Sequence, residues 1–85
     1  MSIQSFQTRG GNLVSYDAEQ DLLVVERQTG GSCIVIDLAN DQIRITSGGD
    51  ISLEAGGVLR LAGKEGIEMK SPEETIIQGK MVRIN

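Results

Sequence analysis

The chain has 85 residues, a formal charge of −4, one cysteine and no histidine. That length suffices for one domain, which as a monomer must offset roughly 1.5 kcal/mol of ordering entropy per residue with a small core. Residue types exclude an internal disulfide framework and a Cys/His metal staple, so self-association is the reinforcement left over.

Phe6 and Tyr16 are the only aromatic residues, and Ile, Leu and Val supply most of the apolar volume. The eight Lys and Arg residues are scattered singly, which disfavours a nucleic-acid partner, because phosphate binding needs clustered cations. The polar start Met1-Ser2-Ile3-Gln4-Ser5-Phe6 lacks the apolar stretch of a signal peptide. No apolar run approaches the ~20 residues of a membrane-spanning helix. No membrane anchor is therefore expected, and the lone Cys33 fits synthesis and assembly in the cytoplasm.

In chain order, residues 1–12 are polar and end in Arg9-Gly10-Gly11-Asn12, which predicts a flexible N-terminal segment. Residues 13–42 predict a β-meander. Its strands are Leu13-Val14-Ser15-Tyr16, Leu22 to Arg27 and Cys33 to Leu38, separated by Asp17 to Asp21 and by the turn Thr29-Gly30-Gly31-Ser32. The β-branched content and short turns favour strands; a helix over 13–27 fits by length but not by its valines and its polar break. In the second and third strands both parities are apolar, Leu22 and Val24 on one side and Leu23 and Val25 on the other. Strands of that kind are covered on both faces, and in so short a chain one cover is expected to be another subunit.

From residue 43 onward the pattern becomes regular. The pairs Ile43/Ile45, Ile51/Leu53, Leu59/Leu61 and Ile67/Met69 recur at a spacing of eight, Thr75/Ile77 continues the register, and Val82/Ile84 falls one residue early. The residue inside each pair is mostly polar (Arg44, Ser52, Arg60, Glu68), as in a strand whose aliphatic side chains point inward. Gly48, Gly49, Gly56, Gly57, Gly63, Gly66 and Pro72 lie between the pairs and suit corners. A helix with Gly-Gly in its turns is excluded. Repeats of this kind mark solenoids and related arrays. A plain antiparallel meander with the same spacing is the alternative. An inward face of two side chains per strand is narrow for half a sandwich and suits one wall of a β-helix or β-prism.

A single-chain β-helix of this length has about two turns, with unpaired edges at both ends and a thin interior. Three chains around one axis remove most of that difficulty, so the expected state is an intertwined homotrimer. Its core would be Ile43, Ile45, Ile51, Leu53, Leu59, Leu61, Ile67, Met69, Ile77 and Ile84. A β-helix stacked end to end into a filament satisfies the same edges.

The stretch from Ile43 to Ser71, with its Gly-Gly corners and aliphatic pairs, resembles the trimeric β-helical needles of contractile-tail phage central spikes and of VgrG proteins in type VI secretion. The resemblance rests on repeat style and spans roughly residues 34–85. It implies an all-β, octad-repeat triangular β-helix or prism that carries a tip or cargo protein at one end. At the other end it implies a tube or baseplate protein, and the whole becomes part of an exported or injected particle. Residues 1–38 are too short for the basal domains of full spikes, which leaves a fragment, a small free-standing spike subunit or an accessory protein. Iron binding by clustered histidines does not carry over to a chain without histidine.

Chemistry-bearing arrangements are few. Without histidine there is no Ser-His or Cys-His pair, and Cys33 beside Ile34 reads as an inert thiol. Asp50, Glu54, Glu65, Glu68, Glu73 and Glu74 match the paired acids of β-helical hydrolases in type, but read as solvated surface charge. The Gly-Gly doublets fit no phosphate-loop spacing. No catalytic residue, cofactor or metal site is expected. The expected function is a structural spike or needle component of a contractile injection apparatus. A scaffold or adaptor module that binds a partner or polymerises, of the bactofilin kind, is the alternative.

Overall fold

A computed structural model describes residues 2–84; Met1 and Asn85, the outer ends of the expected N-terminal and repeat segments, lie outside the described residues. Five strands run in sequence order: β1 (Ile3–Gln7), β2 (Leu13–Asp17), β3 (Leu22–Glu26), β4 (Ser32–Asp37) and β5 (Gln42–Ile45). Each pairs antiparallel with the next, giving one open sheet of order β1-β2-β3-β4-β5. Among the described residues there is no helix, so the helical alternative over 13–27 gives way to β2 and β3. The chain divides into two units, Met1–Ser52, which holds the sheet, and Leu53–Asn85.

The turns explain why these residues pair. At one end of the sheet two hairpins share one design. Gly11 N–H donates to the Thr8 carbonyl at 2.9 Å and Thr8 N–H donates to the Asn12 carbonyl at 2.7 Å. In the second, Gly30 N–H donates to the Arg27 carbonyl at 2.9 Å and Arg27 N–H donates to the Gly31 carbonyl at 3.0 Å. Gly11 and Gly30 hold φ of 83° and 98°. This is a tight turn followed by a glycine bulge, a standard way to join two antiparallel strands. At the opposite end Asp21 and Asp41, with φ of 52° and 56°, close the two other hairpins. Asp and Asn tolerate that region better than other residues with a side chain beyond Cβ. The Asp17 carboxylate accepts from the Glu19 and Gln20 N–H groups, and the Asp37 carboxylate from the Asn40 N–H. Such bonds fold a backbone turn locally.

One expectation is corrected. The segment 1–12, read as flexible, contains β1, whose residues pair from Ile3 with Asp17 to Gln7 with Leu13. The Gly10-Gly11 doublet looked like slack, but Gly11 is the bulge residue of the first hairpin. Phe6 faces Val14 across the strands, and such aromatic–β-branched pairs stabilise a sheet. A second difference lies at the start of the octads: Ile43 and Ile45 belong to β5 and pair with Ile36 and Ile34 of the meander.

Candidate functional site

The register of the sheet sorts its side chains onto two faces, because directly opposed residues point the same way and neighbours along a strand alternate. One face carries two rows that cross all five strands. Gln4, Tyr16, Leu23, Ile36 and Ile43 form one row; Phe6, Val14, Val25, Ile34 and Ile45 form the other. Nine of these ten are apolar or aromatic, Gln4 being the exception. The opposite face is mixed, with a central row of Ser5, Ser15, Val24, Val35 and Arg44 flanked by Asp17, Leu22 and Asp37. Val24, at 9% exposure, is the one hydrophobic residue among the described residues that counts as buried.

The sequence had shown apolar residues at both parities of β3. Only the register reveals that one parity continues through every strand. Phe6, Val14 and Tyr16 therefore join the candidate surface, beside Leu23, Val25, Ile34 and Ile36 of the two strands that the sequence already marks for cover by another subunit. The signal that could have found them was the parity of each strand counted from a correctly placed turn.

Past β5 the described residues make no sheet. Among the described residues from 47 to 84 there is no backbone–backbone hydrogen bond, and each is exposed. The path is nonetheless periodic: it bends at 48–49, 56–57, 64–65, 72–73 and 80, a recurrence every eight residues. The bends fall on Gly48-Gly49, Gly56-Gly57, Lys64-Glu65, Pro72-Glu73 and Lys80, and the aliphatic pairs lie between them. Ile51, Leu53, Leu59, Leu61, Ile67, Met69, Ile77 and Ile84 are all exposed, Leu61 at 63%, as are Ile43 and Ile45 in β5. The expected core residues are thus present as a bare set that the chain itself does not bring together.

Two of the corner glycines are required by local geometry. A Cβ on Gly63 would lie within van der Waals overlap of the Gly66 carbonyl, and Gly66 has φ of 142°. A Cβ at Gly48, Gly49, Gly56 or Gly57 would meet open space within the chain.

The polar groups carry little chemistry of the catalytic kind. Tyr16 donates its hydroxyl to Asp21 Oδ1 at 2.8 Å. That hydrogen bond, with minor desolvation and the negative charges of Asp21 and Asp17, holds the phenol above its ordinary value of 10.0. Cys33 is half-buried and its thiol faces the Val25 carbonyl at 3.4 Å. Arg27 reaches across the end of the sheet to donate to the Thr46 carbonyl at 2.7 Å, fixing the exit of β5. Among the described residues no three Cys, Asp or Glu side chains gather in a metal-binding group, and no helix is long and apolar enough to cross a membrane.

Comparison with protein-family models, with curated proteins and with solved structures finds no match to this chain.

Proposed function

We propose that this chain is a structural subunit whose work is assembly. Three copies form a triangular β-prism that serves as a spike or needle module of a contractile injection apparatus, without catalysis. A tip or cargo protein then occupies one end and a tube or baseplate protein the other. The observation that carries the reading is the bend every eight residues through 48–80, with exposed aliphatic pairs between bends and no backbone hydrogen bond among the described residues there. A segment so shaped gains little alone. Burying one Leu or Ile side chain is worth about 1.5–3 kcal/mol, and pairing its backbone removes the same segment's open strand edges. Three chains around an axis supply both at once.

The sheet supports the same reading. Ile43 and Ile45 are at once the first octad pair and the last members of the two apolar rows. A face of nine apolar or aromatic side chains is large for a free surface, and patches of that kind mark interaction sites.

Solution mass of the purified chain tests the proposal. Three times the 9.1 kDa chain mass is expected. A broad high-mass distribution would replace the prism with a filament of the bactofilin kind, and the bare chain mass would leave an accessory module.

A further inference from the structure

The aliphatic columns of an octad repeat leave one question open, namely which octad of one chain lies beside which octad of the next. Ile51, Leu53, Leu59, Leu61, Ile67 and Met69 are near-equivalent in volume and polarity. A slip of one whole octad would therefore cost the interior little, as in any sheet whose register is weakly specified. Something outside the core has to mark the alignment.

Three-fold symmetry limits the choices. If each octad occupies one wall of a triangular prism, equivalent octads of the three chains form one layer. Each chain then passes its corner onto the next wall, one strand higher. The strand it meets there is the preceding octad of a neighbouring chain. Residue i of one chain thus lies beside residue i + 8 of another, about 4.8 Å away along the axis, the ordinary spacing of paired strands.

The outward strand positions distinguish this alignment from its competitors. Arg44, Ser52, Arg60 and Glu68 share one position in successive octads, and Thr46, Glu54, Ala62 and Lys70 share the next outward one. With an offset of eight, Arg60 meets Glu68 and no outward strand position meets a like charge. With an offset of sixteen, Arg44 meets Arg60, a repulsion set against the attraction of Glu54 for Lys70. Alignment without offset sets Arg60 against Arg60 and Glu68 against Glu68. At the corners the offset of eight also places Glu65 near Glu73, a like-charge contact exposed to solvent and screened by salt. Glu68 lies 3.7 Å from Lys70 of its own chain, both side chains being 85% exposed, so the two outward positions of that octad share a face.

We infer that Arg60 of each chain pairs with Glu68 of the adjacent chain, and that this girdle of three ion pairs sets the octad register of the trimer. The inference rests on the trimeric reading above and deepens it. It also separates that reading from the plain meander, in which a hairpin centred on Lys64 would bring Arg60 and Glu68 of one chain together.

The test uses the full chain with Arg60→Cys and Glu68→Cys in a Cys33→Ser background. Paired strands hold Cα atoms within the 4.4–6.8 Å that a disulfide spans. Mild oxidation followed by denaturing, non-reducing electrophoresis is expected to give a covalent species of three chains. A second measurement covers the event that the thiols meet at a poor angle. Arg60→Glu and Glu68→Arg should each lower the thermal midpoint of the trimer by a few degrees, and the double exchange should restore it. A disulfide confined to one chain overturns the inference. So does the absence of any disulfide together with no restoration by the double exchange. A wild-type chain of single mass would instead overturn the trimer itself, and the two failures are told apart by the mass of the unmodified protein.

Discussion

The two units of this chain solve the same problem to different degrees. In Met1–Ser52 every strand finds a backbone partner within the chain, through four short hairpins fixed by Gly11, Asp21, Gly30 and Asp41. In Leu53–Asn85 the chain bends just as regularly, yet no backbone hydrogen bond forms among its described residues. The difference lies in the corners. A hairpin turn reverses the strand and delivers the next residues to the one just left. The bends at Gly56-Gly57 and Pro72-Glu73 have no backbone hydrogen bond across them among the described residues. Both units leave aliphatic side chains exposed, and the described residues of the second lack backbone partners as well. Local hairpins make a sheet from one chain; the proposed trimer would supply the octads with the strand partners they lack.

The largest test of that contrast is a charge in the repeat. If three chains assemble as proposed, Leu61→Asp should abolish that assembly and the order of the second unit together, because three carboxylates would converge on one axis without partners. Sedimentation would show single-chain mass. Hydrogen exchange should then show protection persisting in β2, β3 and β4, whose bonds lie within the chain, and lost from 53–84. Equal loss of protection in both units would break the comparison, since it would make the sheet as dependent on assembly as the octads.

A smaller effect is expected at the corners. Gly63→Ala forces the backbone away from the Gly66 carbonyl, and Gly66→Ala places a Cβ at φ of 142°. Each should cost on the order of 1–3 kcal/mol of assembly stability, the usual range for a residue held in a disfavoured backbone region. Gly49→Ala, with open space at its Cβ within the chain, serves as the comparison and should cost less. Chemical denaturation of the three variants ranks them.

The smallest expected effect belongs to the sheet alone. Tyr16 is held above its ordinary value of 10.0 because its proton is engaged by Asp21. The sign follows from linkage: a group whose pKa is raised on folding contributes its full stabilisation below the unfolded value and loses it as pH rises through the folded value. Stability of the first unit should therefore decline as pH climbs above about 10. Tyr16→Phe should remove that part of the decline, as read from denaturation midpoints across the alkaline range.

Much of the fold was legible in the residues. The strands at 13–16, 22–27 and 33–38 appear in the structure within one or two residues of where β-branched runs and Gly, Asp and Asn breaks placed them. The spacing of eight among Ile51, Leu53, Leu59, Leu61, Ile67 and Met69 has its counterpart in the periodic bends. β1 was not legible, because Ile3-Gln4-Ser5-Phe6-Gln7 has weak alternation and its pairing depends on a glycine bulge that reads as slack. The ownership of Ile43 and Ile45 was not legible either, since an octad position and a meander position look alike until the partner strand is known.

The sequence by itself determined that the chain is all-β, that its direction changes follow Gly, Asp and Pro, and that its second half repeats every eight residues. These follow from local sterics and from side-chain alternation, which need no distant partner. The tertiary structure decided which parity of each strand shares a face, and so brought Phe6, Val14, Val25, Ile34 and Ile45 into one row. That outcome depends on cross-strand register, a relation between residues far apart in the chain that a one-residue shift in any hairpin would invert.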